Sequence, residues 1–185
     1  MVKKNSCVFI SGAGTNLKAL IHNSRHYNFP VNIKLVVTNK KNAKGLKYAK
    51  KYSIPFKIVK TKDIFFEKRI LNEIKKKKIT LICLAGYMKI LSKNFINNFK
   101  GKIINIHPSL LPKYKGMNTF QRILKNKDKI SGCTVHYVNN KLDSGKIINR
   151  KTFEVSNNDT VKTLKEKTQR LEYRAFSEAI IKINI

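Results

Sequence analysis

Acidic residues are scarce in this sequence. Ten Asp and Glu stand against 40 Lys and Arg in 185 residues, a formal charge of +30 at pH 7. Arginine is also scarce: six positions (25, 69, 122, 150, 170 and 174), so 34 of the 40 bases are Lys. Forked contacts to phosphates and base edges favour Arg. Lysine spread through every segment therefore reads as a solvated surface of drifted composition, and a nucleic-acid partner is not expected. Such a surface would still draw in anionic small molecules. No apolar run approaches the roughly 20 residues of a membrane span. After Lys3 and Lys4, the stretch Ser6 to Gly14 is too short and interrupted for a secretory leader, so a cytoplasmic protein is expected. Cys7, Cys83 and Cys133 are far apart, each inside an apolar segment, with neither metal-ligand spacing nor an even-numbered framework. Reduced, buried thiols and no metal follow. Repeats, linkers and low-complexity tails are missing too, so residues 1–185 read as one domain, large enough to bury a core.

What is present alternates between two periods. Cys7-Val8-Phe9-Ile10 is an apolar run that ends in Ser11-Gly12-Ala13-Gly14-Thr15-Asn16, after which Leu17, Leu20 and Ile21 fall at helical spacing. Thr15 or Asn16 is placed to cap that helix. Strand, glycine loop and helix together offer backbone N–H groups and a positive dipole end to a phosphate. The third glycine of a dinucleotide fingerprint is missing, as is a nucleoside-triphosphate lysine, so the loop suits a single phosphate. Strands are then expected over Val31–Thr38, Pro55–Val59, Thr80–Gly86 and Lys102–Ile106, with helices over Ala43–Lys51 and Asp63–Lys75. The lysines at 75–78 read as the exposed end of the second of these helices. The alternation implies an α/β fold: an open, mostly parallel twisted sheet with helices on both faces and right-handed crossovers. Ligands of such sheets lie beyond the carboxyl ends of the strands, where Gly14, Tyr87 and His107 are expected to converge.

A short helix over Thr119–Leu124 follows, with Asp128 beyond it. From Gly132 the period becomes two: Thr134 to Val138, a turn over Asn139–Gly145, and a return over Ile147–Val155 predict an antiparallel hairpin on the C-terminal side. A last helix starts at Asn158-Asp159.

Chemistry concentrates in Asn105-Ile106-His107-Pro108-Ser109-Leu110-Leu111-Pro112-Lys113-Tyr114-Lys115-Gly116. An apolar strand runs into a loop held by two prolines, which bias His107 and Leu111 away from helix. Asn105 and His107, two apart, share a face. Asp143, in the hairpin turn, is a possible carboxylate partner that would favour imidazolium and raise the His107 pKa. Asn105 could donate to an oxygen that becomes negative. Ser11 and Ser109 lack a nucleophile elbow, so direct attack by an amine on a bound acyl donor fits better than covalent catalysis. His22 and His26 belong on or beside the first helix, and His136 alternates within a strand and could face either side.

The Asn105–Gly116 stretch resembles the signature of the folate-dependent formyltransferases, and the likeness runs from about Ser11 to Glu172. It implies a Rossmann-like formyltransferase fold and transfer of a formyl group from 10-formyltetrahydrofolate, as cosubstrate, to the amine of phosphoribosylglycinamide in purine (IMP) synthesis. Asn105, His107 and Asp143 match the family's catalytic set: His107 as general acid, Asn105 steadying the oxyanion, Asp143 orienting and charging the imidazole. Gly12, Ala13, Gly14, Thr15 and Asn16 match the loop for the substrate phosphate, and Gln169 and Glu172 match positions that hold the glycinamide substrate. Met88, Lys89, Ile90 and Leu91, with Asn105 and the stretch Asn139, Asn140, Lys141, Leu142 and Asp143, resemble the segments that enclose the pterin. The resemblance implies small-molecule partners only and a monomer or weak homodimer.

The chain departs from the family in places. Lys89 stands where the family often has arginine, and only lysines flank Asp63, where another is common. Both bear on the glutamate tail of folate. Asn118 replaces a frequent histidine, and the end at Ile185 comes early. Methionyl-tRNA formyltransferase shares the His107 loop but carries a further β-rich domain. Formyltetrahydrofolate deformylase shares the catalytic set but carries a regulatory domain before it. The phosphate loop favours the purine enzyme.

Overall fold

The structure, a computed structural model, describes residues 2–59 and 65–183. Its contacts gather into two compact units, Met1–Ile104 and Asn105–Ile185.

The first unit holds β1 (Lys4–Ile10), α1 (Thr15–Ser24), β2 (Val31–Thr38), α2 (Leu46–Lys51), β3 (Phe56–Ile58), α3 (Phe66–Lys76), β4 (Ile79–Leu84) and α4 (Lys93–Asn98). Its strand order is β3-β2-β1-β4, and every pair is parallel. The chain moves outward from β1 through β2 to β3, then returns to the other side of β1 as β4. The loops after β1 and β4 therefore flank the point where the winding reverses, the usual place for a ligand in an open α/β sheet. Cys7 to Ile10, Leu35 to Val37 and Leu81 to Cys83 are almost wholly buried, as continuous apolar runs in parallel sheets should be.

Local departures from the expected elements have local causes. The N-cap of α1 is Gly14, left-handed at φ 71° and without a side-chain cap, not Thr15 or Asn16. Helix α2 begins three residues late, because the Gly45 N–H is held by the Gly12 carbonyl at 3.0 Å. A Cβ on Gly45 would lie 2.8 Å from the Gly14 Cα, so two glycines are needed where these backbones touch. The expected cap at Asp63, and Ile64 with it, fall outside the described residues. Helix α4 escaped the periodicity reading; its signal was Ser92, whose hydroxyl caps the Phe95 N–H at 3.0 Å.

Strand β5 (Lys102–His107) leads into the second unit, which holds α5 (Thr119–Lys125), β6 (Ile130–Tyr137), β7 (Ile147–Glu154) and α6 (Val161–Lys182). Here the strand order is β5-β6-β7, and β6 and β7 form the expected antiparallel hairpin. The register slips between Val135 and His136, which pair with Asn149 and Ile147 and leave Ile148 as the extra residue of a bulge. Helix α6 is capped by Thr160 through a reciprocal pair with Thr163. Leu164, Phe176, Ala179 and Ile180 are fully buried on its inner face.

Candidate active site

The three residues singled out by pattern meet in the second unit. The end of β5 turns Asn105 and His107 to one face, and the turn between β6 and β7 carries Asp143 to them. His107 Nδ1 lies 3.3 Å from Asp143 Oδ2, and Asn105 Nδ2 lies 3.5 Å from Asp143 Oδ1. His107 and Asp143 are 5% and 9% exposed, so these contacts act with little screening by water. Asp143 itself sits at φ 44°, a left-handed conformation that aspartate tolerates better than most residues. Its Oδ2 also accepts the Gly116 N–H at 2.9 Å, which ties the His107 loop to the hairpin turn.

Two members of the site were not foreseen. The carbonyl of Tyr114 accepts from His107 Nε2 at 2.8 Å. Tyr114 is in turn clamped: its hydroxyl donates to Asp128 at 2.8 Å and accepts from Asn126 at 2.9 Å. Arg122 lies over its ring, 5.1 Å from the centroid, and donates to the next carbonyl, Lys115, at 2.7 Å. Asp128 thus helps to hold the loop that aims His107. The second member is His136, 2% exposed. Its Nε2 is 3.2 Å from Asn105 Nδ2 and 3.6 Å from Asp143 Oδ1, and its Nδ1 is 2.8 Å from the Tyr137 carbonyl. Alternation alone could not choose a face for His136; its contacts with Asn105 and Asp143 place it on theirs.

The electrostatics differ from the sequence expectation in one respect. Burial is the largest influence on His107 and pulls its pKa below the ordinary imidazole value. The Tyr114 carbonyl and the Asp143 carboxylate push it up, as expected of the carboxylate, but do not outweigh burial. For Asp143 burial works upward, yet the neighbouring His136 side chain, the Gly116 N–H and the charge of His107 leave its pKa below the usual carboxylate range. The Tyr114 carbonyl can only accept, so His107 Nε2 carries a hydrogen and a neutral ring presents an unprotonated Nδ1 to Asp143. A proton taken up there sits between ring and carboxylate. The pair can receive and release a proton without moving.

The other expected residues are placed as follows. In the first unit Gly12 and Ala13 are exposed, Gly14 and Asn16 are buried, and Thr15 opens α1. Ser11 holds this loop in place. Its hydroxyl donates to Asn39 at 2.5 Å and accepts the Met88 N–H at 2.8 Å, and its N–H binds the Gly86 carbonyl at 3.1 Å. Three strand ends are thereby fastened to the loop that opens on the N-terminus of α1. Met88 and Ile90 expose their side chains, Leu91 is buried, and Lys89 lies over the Phe66 ring, 4.1 Å from its centroid. In the second unit Asn139, Asn140, Lys141 and Leu142 form the exposed arm of the Asp143 turn. Gln169 and Glu172 lie one turn apart on α6, half-buried. Burial, with the charge of Glu172 adding to it, pushes the Cys133 thiol up to about 12. Among the described residues, no group of His, Cys, Asp and Glu has the arrangement of a metal site.

Known proteins resemble this chain in sequence and share its fold. The family model described as Formyl transferase matches residues 4–180. The phosphoribosylglycinamide formyltransferase of Haemophilus influenzae is 38% identical over 94% of this chain and 84% of its own length. That of Bacillus subtilis is 33% identical over 96% and 93%. The trifunctional purine biosynthetic protein adenosine-3 of Chironomus tentans is 42% identical, but the chain spans only 13% of its length. The crystal structure of phosphoribosylglycinamide formyltransferase from Brucella melitensis superposes with a TM-score of 0.92, at 38% identity, over 98% of this chain and 96% of that one. The expected open, mostly parallel α/β fold is the one shared with these structures. With the model spanning nearly every residue from the first strand to the last helix, and with the Asn105, His107 and Asp143 cluster lying within it, the chain belongs to the formyl transferase family.

Proposed function

We propose that this chain transfers the formyl group of 10-formyltetrahydrofolate to the primary amine of 5'-phosphoribosylglycinamide, giving formylglycinamide ribonucleotide and tetrahydrofolate in purine synthesis. The observation that carries the reading is the His107–Asp143 pair beside the Asn105 amide, in a member of the formyl transferase family whose relatives named for this reaction match it over nearly their whole length. Residues 1–185 serve as one catalytic domain, working in the cytoplasm as a monomer or weak homodimer.

Each group has a task in that reaction. The amine nitrogen attacks the formyl carbon, a C–N bond forms, and the carbonyl electron pair moves onto oxygen. Asn105 donates to the oxyanion, which strengthens as charge develops. Collapse of the tetrahedral intermediate breaks the bond to N10 of the folate. The proton that the amine sheds passes to N10 through the His107–Asp143 pair, with His107 as the general acid once its Nδ1 is protonated. Acid–base help of this kind contributes about 10²- to 10⁴-fold. The Ser11–Asn16 loop takes the phosphate on its backbone N–H groups at the positive end of α1. Gln169 and Glu172 hold the glycinamide and ribose, and Met88–Leu91 with Asn139–Asp143 enclose the pterin. No step needs a metal.

The test is an absorbance assay of purified protein with a 10-formyl folate analogue and phosphoribosylglycinamide, alongside His107→Ala. Turnover that requires both substrates and is lost in the variant is expected. Folate consumption without the amine would instead make this a deformylase, and silence in folded protein would refute the assignment.

A further inference from the structure

His136 has a place in the site but no task in the reaction as written, and its hydrogen bonds define one. We infer that His136, held in the Nδ1–H tautomer, is the positioning residue that fixes the orientation of the Asn105 amide. The inference rests on the formyl-transfer reading for its kinetics, but not for its structural part.

The argument starts from the Tyr137 carbonyl. It can only accept, and it lies 2.8 Å from His136 Nδ1, so that nitrogen carries a hydrogen. In the neutral ring Nε2 then offers a lone pair, 3.2 Å from Asn105 Nδ2. Asn105 donates one of its two amide hydrogens there. A flipped amide would set its oxygen against that lone pair and against Asp143 Oδ1, which is 3.5 Å from the present nitrogen. Both contacts would be repulsive, so one orientation of Asn105 survives. With one hydrogen committed to His136, the second has only the long contact to Asp143 in the resting enzyme. It is free to turn to the oxyanion.

The backbone supports this assignment. His136 is 2% exposed, in the strand β6 where Val135 and His136 pair with Asn149 and Ile147 of β7, and its ring is held at both nitrogens, by the Tyr137 carbonyl and the Asn105 amide. Among the described residues two titratable groups face it: Asp143, 3.6 Å from Nε2 on the hairpin turn, and His107 on β5, whose own protonation a charged His136 would oppose. A proton added to Nε2 would point at the Asn105 NH₂ and exchange that bond for one to Asp143. Asn105 then loses its anchor. The arrangement works only while His136 is neutral.

Four measurements test the role. Long-range ¹⁵N–¹H NMR of the wild-type imidazoles at neutral pH reads the tautomer directly, and Nδ1–H is expected at His136. His136→Leu removes the acceptor and is expected to lower kcat about 10- to 100-fold, the range below full loss of an oxyanion donor, with KM for both substrates within about threefold. His136→Gln keeps a neutral acceptor of similar reach and is expected to recover most of that loss. In an Asn105→Ala background, His136→Leu should add less than about threefold, since both changes remove one interaction. An Nε2–H tautomer, equal damage from Leu and Gln, or effects that multiply would each overturn the inference. Wild-type protein inert toward both substrates would sink the functional reading instead, leaving the tautomer measurement to decide the positioning claim.

Discussion

Asp143→Asn is the substitution that separates charge from shape in this site. Asparagine tolerates φ near the observed 44°, and its carbonyl can keep the Gly116 N–H now held at 2.9 Å. The backbone should therefore stay in place. What disappears is the negative charge 3.3 Å from His107 Nδ1. In its stead an NH₂ group faces His136 Nε2 and competes there with Asn105. A charge-assisted hydrogen bond is worth about 1.5–3 kcal/mol, and a decade of rate is about 1.4 kcal/mol, so kcat should fall about 10- to 150-fold. The assay is steady-state turnover at neutral pH with both substrates saturating. A loss below about tenfold would mean that the His107–Asp143 pairing is not used in catalysis. Stability offers a second check. The folded Asp143 pKa is depressed, so its contribution is present above the ordinary carboxylate range and is lost as pH falls through the folded value. Wild type and Asp143→Asn should differ in urea midpoint at neutral pH and converge in acid. Parallel curves down to acid pH would contradict the depressed pKa.

Other perturbations reach other parts of the molecule. Gly14→Ala forces a Cβ into a left-handed position that abuts Gly45; it should cost about 2–4 kcal/mol in chemical denaturation, and an unchanged midpoint would show that the two loops separate freely. Inorganic phosphate should compete with phosphoribosylglycinamide and not with the folate; a noncompetitive pattern would remove the phosphate from the Ser11–Asn16 loop. Because burial depresses the His107 pKa, the unfolded chain binds the extra proton first, so stability should decline as pH drops below about 6.5. His107→Gln should flatten that decline, and an identical slope would place its origin elsewhere. The three cysteines are buried and free, with thiols pushed up by burial. A thiol reagent should modify none of them until the protein unfolds, and rapid labelling of native protein would contradict that burial.

Much of this was legible before any coordinates, because the signals are short-range. Apolar runs located β2 and β5, and period-two alternation located β7, each within a residue or two, since which side chains a strand buries follows from backbone geometry alone. Asn105 and His107 had to share a face once the run was a strand, and the prolines after His107 had to end it. The resemblance then supplied Asp143, a turn aspartate that local reasoning could not distinguish from any other. What pattern could not supply depends on residues distant in sequence. Gly14 caps α1, and α2 starts late, because Gly12 and Gly14 pack on Gly45, about thirty residues away. The net direction of the His107 pKa turned on burial, which belongs to the fold and not to any pair of residues. His136 entered the site because its place on β6 sets its ring against Asn105, and Tyr114 because a clamped loop turned its carbonyl to His107. By itself the sequence determined which elements form and which residues could do acid–base chemistry, since these follow from local sterics and side-chain type. Only the tertiary structure decided which hydrogens those residues carry and where they point, because hydrogen-bond partners are set by the packing of distant segments.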